Sequence, residues 1–455
     1  LAGAAMLNPA WGEGLRQAAP ARLLRAVGAW WASLVAPWTA GSLLGRALPA
    51  LRLITLCLLL AISPFVGTGI NAALVLLAAG VATLDLLLYP RRPVAGDGLL
   101  VPVFAYMIMG AVAMAFSSYP VLAAKGLAKM AIFMLAFWAF YRNLDRQNWR
   151  IPVLALIVGA TSIALHGIYQ WHIKVPPLAL WDDAGSLGHI TRVYSFLRNP
   201  NLLAGYLLPT MALTIGASLQ ARGLWRWLGL GSAAAQSLCL YFTYSRGGWL
   251  GMFALWGVFA AVALWRERAR VLPYKKHLIA AGMGCLVLLA VVVMSSPALM
   301  ERLQSMVTVR GHSSNSYRAN VWVAVFRLIG DTWPVGIGPG NDVFKRIYPL
   351  YMLSGFDALG AYNIFLEVFV EMGILGIGAF LWLLVTHMAR QVWGVGQRWA
   401  DGCSWMMAAC LAATVAICVH GMVDTVFYRP QVSILFWLVL AMTIRLSQPA
   451  SASQG

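Results

Sequence analysis

The chain has 455 residues, of which 61% are hydrophobic and 11% charged. A water-soluble domain is nearer half apolar and a quarter charged, so no single aqueous core can hold these side chains and lipid must solvate much of the chain. The net charge of +18 does not indicate nucleic acid, because the basic residues fall in short clusters between apolar runs and no reading motif accompanies them.

In chain order, the first 49 residues form a segment of their own. Leu1 is not followed by the short apolar core and cleavage site of a signal peptide, so insertion is expected to rely on the first span. Leu23, Val27, Trp30, Trp31 and Leu34 recur at helical spacing, with Arg16, Arg22 and Arg25 on the other side. That pattern predicts an amphipathic helix on the cytoplasmic leaflet, held by aromatic anchors and anionic lipid.

About twelve apolar runs are long enough to cross a bilayer, making the fold class all-α and polytopic. They cover 50–66, 70–89, 99–116, 121–141, 151–171, 199–219, 224–244, 249–265 and 278–295, then 363–388, 404–420 and 430–445. Spans one to nine therefore occupy 50–295, a long loop 296–361, spans ten to twelve 362–446, and a polar tail 447–455. Arginine and lysine mark every second connection: Arg91 and Arg92, Arg142 to Arg150, Arg222 and Arg226, Arg266 to Lys276, then Arg390 and Arg398. The connections 67–69 and 117–120 carry no charge. Positive-inside counting places the basic set and both termini in the cytoplasm, with 172–198 and 296–361 outside. Within the longer loop, helices are expected near 298–307 and 317–329. The six cysteines lie in apolar runs or at an inner edge without CxxC spacing, which argues against disulfides and zinc.

Several arginines, among them Arg192, Arg198, Arg246 and Arg318, stand on the side disfavoured for positive charge. A guanidinium fork suits phosphate or carboxylate, and a salt bridge to a loop acid such as Asp182 or Asp183 is the plain alternative. Glu367 and Glu371 share one face of the tenth span, Lys125 and Lys129 one face of the fourth, and His420 and Asp424 repeat the spacing at the outer end of the eleventh. Charge within a span is either functional or internally paired. The Gly336-Ile337-Gly338-Pro339-Gly340 segment lacks both the Gly-Lys-Ser/Thr ending of a nucleotide loop and a preceding strand.

The run from Arg192 through Asn199-Pro200-Asn201 to Gly205 resembles a segment of the O-antigen ligase and polymerase superfamily. So do the Ser245-Arg246-Gly247 turn, Arg318 with Trp322, the Gly338 and Gly340 segment, and Tyr362-Asn363-Ile364-Phe365-Leu366 followed by Glu371-Met372-Gly373. Asn341-Asp342-Val343-Phe344 with Ile347-Tyr348-Pro349-Leu350-Tyr351 is similar to a branch named for bicarbonate transport.

The resemblance implies a transferase of the bacterial inner membrane, needing no metal or other cofactor. It would act on a polyprenyl-diphosphate-linked glycan and an unknown acceptor. Arg246 and Arg318 match the diphosphate-binding arginines, with Arg192 and Arg198 beside them. The implied base, a histidine, is replaced by Tyr362, leaving Tyr362, Glu367 and His312 as the catalytic candidates. Two other readings stand beside this one: a transporter of bicarbonate or another small anion, and an inactive relative serving as a partner subunit.

Overall fold

The computed structural model describes residues 26–27, 29–31, 33–35, 42–89, 98–176, 178, 191–268, 314–397 and 403–448. Every regular element among them is helical. The helices are α1 (Leu43–Ile62), α2 (Thr68–Leu88), α3 (Leu100–Ala115), α4 (Pro120–Asn143), α5 (Arg150–His172), α6 (Pro200–Gln220) and α7 (Leu224–Phe242). After them come α8 (Arg246–Arg266), α9 (Ser314–Thr332), α10 (Asn341–Ile347), α11 (Ile364–Gln397), α12 (Ser404–Gly421) and α13 (Pro430–Ser447).

Nine helices among the described residues are long and apolar enough to cross a membrane, and α3 is a shorter apolar helix. The chain is a polytopic helical membrane protein. Eleven of the twelve expected spans coincide with helices, α3 and α7 included, while the run 278–295 lies outside the described residues. So do His312, Asp182 and Asp183, and the stretch 298–307. Residues 26–27, 29–31 and 33–35 are helical with Val27, Trp30 and Leu34 exposed, and Trp31 Nε1 donates to Leu87 O at 2.7 Å.

Burial separates an inner group of helices from an outer one. The apolar windows of α6 and α13 are 89% buried, whereas that of α4 is 22% buried. The outer helices turn apolar side chains such as Leu76, Phe104, Ile108 and Phe253 away from the protein. Those faces are too extensive for water and suit hydrocarbon. Inside, α6 packs against α12 and α7, α12 against α8 and α11, and α13 against α4. Small residues permit the closest approaches: a Cβ on Gly216 would lie 2.9 Å from Trp405 O, and one on Gly159 2.8 Å from Ala61 O.

The segment 314–361 folds over one end of this bundle. Its first helix, α9, contains the stretch expected at 317–329. The glycine-rich turn that follows docks onto α11 by main-chain bonds: Ile337 N–H donates to Val370 O (2.9 Å) and Gly338 N–H to Glu371 O (3.0 Å). Docking requires α11 to break, and Gly373 supplies the break with φ 65° and ψ −165°. On the other side a Cβ at Gly126 of α4 would lie 1.9 Å from Pro339 O. The glycines thus let one backbone thread between two helices, which accounts for a motif with the look of a phosphate cradle.

Candidate functional site

At the same end, α2, α3, α4 and α13 enclose a cavity of about 1400 Å³ together with the turns before α6 and α8 and the segment over α11. Arg192, Arg198, Arg246 and Arg318, from three separate parts of the chain, all line it, and Arg429 joins them.

Each arginine is positioned by local structure. Asn199 caps α6, accepting from Asn201 N (2.8 Å) and Leu202 N (3.0 Å), with Pro200 at the first helical position. That cap fixes the turn carrying Arg198, which adopts φ 54°. Arg192 donates through Nε to Thr243 O (3.1 Å) and through Nη2 to Asn201 Oδ1 (3.3 Å), tying its loop to the turn before α8. Asn201 in turn donates to Asp424 Oδ2 at 2.8 Å. Ser245 caps α8 by accepting from Gly248 N (3.2 Å), so Arg246 opens that helix at the cavity wall. Arg318 stands in the first turns of α9.

The cavity is amphipathic along its depth. Val75, Met130, Ile132, Phe133, Ile434 and Trp437 form its wall between the spans. Phe133 is thirteen residues into α4, roughly 20 Å from the start of that helix at ~1.5 Å per residue. Lys129 and Glu371 also line it. Glu371 is 2% exposed and accepts from Gly340 N at 2.9 Å, so its carboxylate anchors the docked glycine turn.

Of the catalytic candidates, Tyr362 lines the cavity and Glu367 is not among its lining residues. Glu367 is fully buried and accepts a hydrogen bond from Ala361 N–H. Ala361 O accepts from Trp322 Nε1 (2.9 Å), and Asn363 both caps α11 and donates to Met422 O (2.9 Å). Both neighbours of Tyr362 are thus pinned, and Tyr362 itself has φ 49°. Glu367 acts on this geometry from behind, by holding the backbone. Tyr362 packs edge-on against Tyr317 at 6.2 Å. Burial pushes its phenol up to about 12, with the Tyr317 and Asp424 charges adding to the rise and Arg318 opposing it. It is therefore protonated across the neutral range and serves as a donor rather than a base.

Residues 231–381 match the family described as O-antigen ligase. The match covers 151 of the 455 residues. No curated protein matches it. The ligase match contains Arg246, Arg318, the glycine turn and Tyr362, whereas Arg192, Arg198, His420 and Asp424 come to the cavity from outside its limits. Sequence reading paired His420 with Asp424 only as a possible ion pair; that both line the cavity depends on how α12 ends, which spacing alone does not reveal.

Proposed function

We propose that the protein binds a polyprenyl-diphosphate-linked glycan in this cavity and transfers the glycan to an acceptor at the outer face of a bacterial inner membrane. One observation carries the reading: the four arginines expected to hold diphosphate line a single cavity whose wall continues into apolar helices. Cations at one level and hydrocarbon-like surface below match a phosphate headgroup on a lipid chain. The size agrees, since about 1400 Å³ exceeds the ~300–1,000 Å³ of ordinary small-molecule sites. In the transfer, the acceptor oxygen attacks the sugar carbon while its bond to diphosphate breaks, and the arginines stabilise the charge gathering on the leaving group. The protein is expected to purify with a polyprenyl diphosphate visible in its lipid mass spectrum, and vesicles containing it to release lipid-linked glycan to acceptors. Their joint absence would remove this reading.

A second reading keeps one specific observation in its favour. Lys129 and Glu371 place opposite charges deep in the same cavity, as a path for a small anion would. Uptake of labelled bicarbonate by vesicles that transfer no glycan would establish it.

A further inference from the structure

His420 is the imidazole lining the cavity among the described residues, and the arrangement of arginines gives it no part. It ends α12, 2% of its surface is exposed, and its Nε2 has no hydrogen-bond partner among the described residues. Buried polar atoms are nearly always satisfied, so a ligand or water atom is expected against this nitrogen.

Two glycines make room for the ring. A Cβ on Gly205 of α6 would lie 3.2 Å from both Cε1 and Nδ1, and one on Gly247 of α8 would lie 2.8 Å from Cδ2 and 3.4 Å from Nε2. Gly247 directly follows Arg246, so this contact sets the imidazole beside the turn that presents a diphosphate-binding arginine. The chain two residues on is fixed as well, because Met422 O accepts from Asn363, the neighbour of Tyr362.

Two carboxylates on the cavity wall are already engaged. Asp424 accepts from Asn201 through Oδ2 and from Thr425 N through Oδ1 (2.7 Å), and Glu371 holds Gly340.

We propose that Nε2 of His420 is the base of the transfer, an assignment that rests on the transferase reading above. The acceptor's O–H proton passes to Nε2 as its oxygen forms the glycosidic bond. The bond from the sugar carbon to diphosphate breaks, and its electron pair leaves on the polyprenyl diphosphate. The histidinium then returns its proton to solvent or to the departing diphosphate, restoring the neutral ring.

The test uses the full chain in nanodiscs with polyprenyl diphosphates linked to labelled glucose, galactose or N-acetylglucosamine, and a membrane extract supplying acceptors. His420→Ala and His420→Gln are expected to bind these lipids as wild type does and to transfer about 10²–10⁴-fold more slowly. Added imidazole is expected to restore part of the rate to His420→Ala, which a purely structural loss would not allow. Transfer at the wild-type rate by either variant overturns the assignment and leaves the transferase reading intact. A slowed rate matched by an equal loss of lipid binding, with no rescue, makes the ring a packing element and also overturns it. A wild-type protein that transfers none of the three sugars overturns the assignment, and the transferase reading falls with it if no polyprenyl diphosphate co-purifies.

Discussion

The same residue type is used in two ways at the two ends of the bundle. At the end opposite the cavity, Arg445 donates through Nε to Leu144 O (2.7 Å) and lies over the Tyr141 ring, while Arg390 donates to Ser447 Oγ (2.8 Å). Deeper in that half, Arg52 pairs with Asp85 at 3.1 Å and donates to Asn143 (3.0 Å), joining α1, α2 and α4. These guanidinium groups close helices onto one another. At the cavity end, Arg192, Arg198, Arg246 and Arg318 line a shared volume, with capped turns fixing the backbone beside Arg198 and Arg246. The difference teaches that an arginine's side of the membrane tells little about its task. What distinguishes the two groups is whether the helices behind them converge on protein or diverge around space.

The largest expected effect tests this division directly. Arg246→Ala and Arg318→Ala should each slow glycan transfer by about 10²–10³-fold, the loss typical when one group stabilising a developing anion is removed. Lysine at either position should recover little, because it offers a point charge in place of a planar fork. Arg390→Ala, at the other end, should leave transfer unchanged and cost no more than ~1 kcal/mol in stability. Equal rates for all of these proteins would erase the functional distinction between the ends.

A second contrast concerns the glycine turn. Gly126→Ala puts a methyl 1.9 Å from Pro339 O and 2.8 Å from Gly340 N, where neither backbone can yield cheaply. Overpacking of this kind costs about 1–3 kcal/mol, so the melting temperature should fall and the cavity wall carrying Gly340 should shift. Gly378→Ala meets nothing within 4 Å and should be neutral or gain up to ~1 kcal/mol from helix propensity. Thermal unfolding in detergent separates the two.

How much of this was readable beforehand follows from the physics of each feature. The spans were legible because hydrocarbon demands long apolar runs, and α2, α5 and α6 fall close to their expected limits. The arginines were legible as outliers against the charge bias of the loops. That they share one cavity was not, because Arg192 and Arg318 are joined only by the path of α5 to α9 through space. Spacing put Glu367 on one face with Glu371 but could not show that the chain at 360–361 folds over it, so that Glu371 lines the cavity and Glu367 does not. His420 was hidden for a different reason, since the glycines that seat its ring, Gly205 and Gly247, lie on two other helices.

That placement of Glu367 gives a smaller effect with a clear sign. Glu367→Gln keeps an oxygen able to accept from Ala361 N–H, so a holding role predicts less than about tenfold loss of transfer, the equivalent of one neutral hydrogen bond. A loss of 10²–10⁴-fold with lipid binding intact would instead make Glu367 the base.

The smallest effect is expected at Tyr362, the position where the resemblance implies histidine. Its phenol lies in the cavity wall beside Tyr317, and burial raises it to about 12. A raised pKa on an acid keeps the neutral form at lower pH, so between about pH 6 and pH 9 the side chain stays a donor and never becomes a phenolate. Tyr362→Phe then removes at most one hydrogen bond of about 0.5–1.5 kcal/mol, roughly a 2–10-fold loss. The ratio of wild-type to variant rates should be flat over that range, since no ionisation of Tyr362 occurs within it. Rates measured at several pH values in the same vesicles check this. A ratio that climbs steadily above pH 8 would show the phenolate taking the acceptor's proton, and the cavity would then use the position that sequence singled out rather than the imidazole across from it.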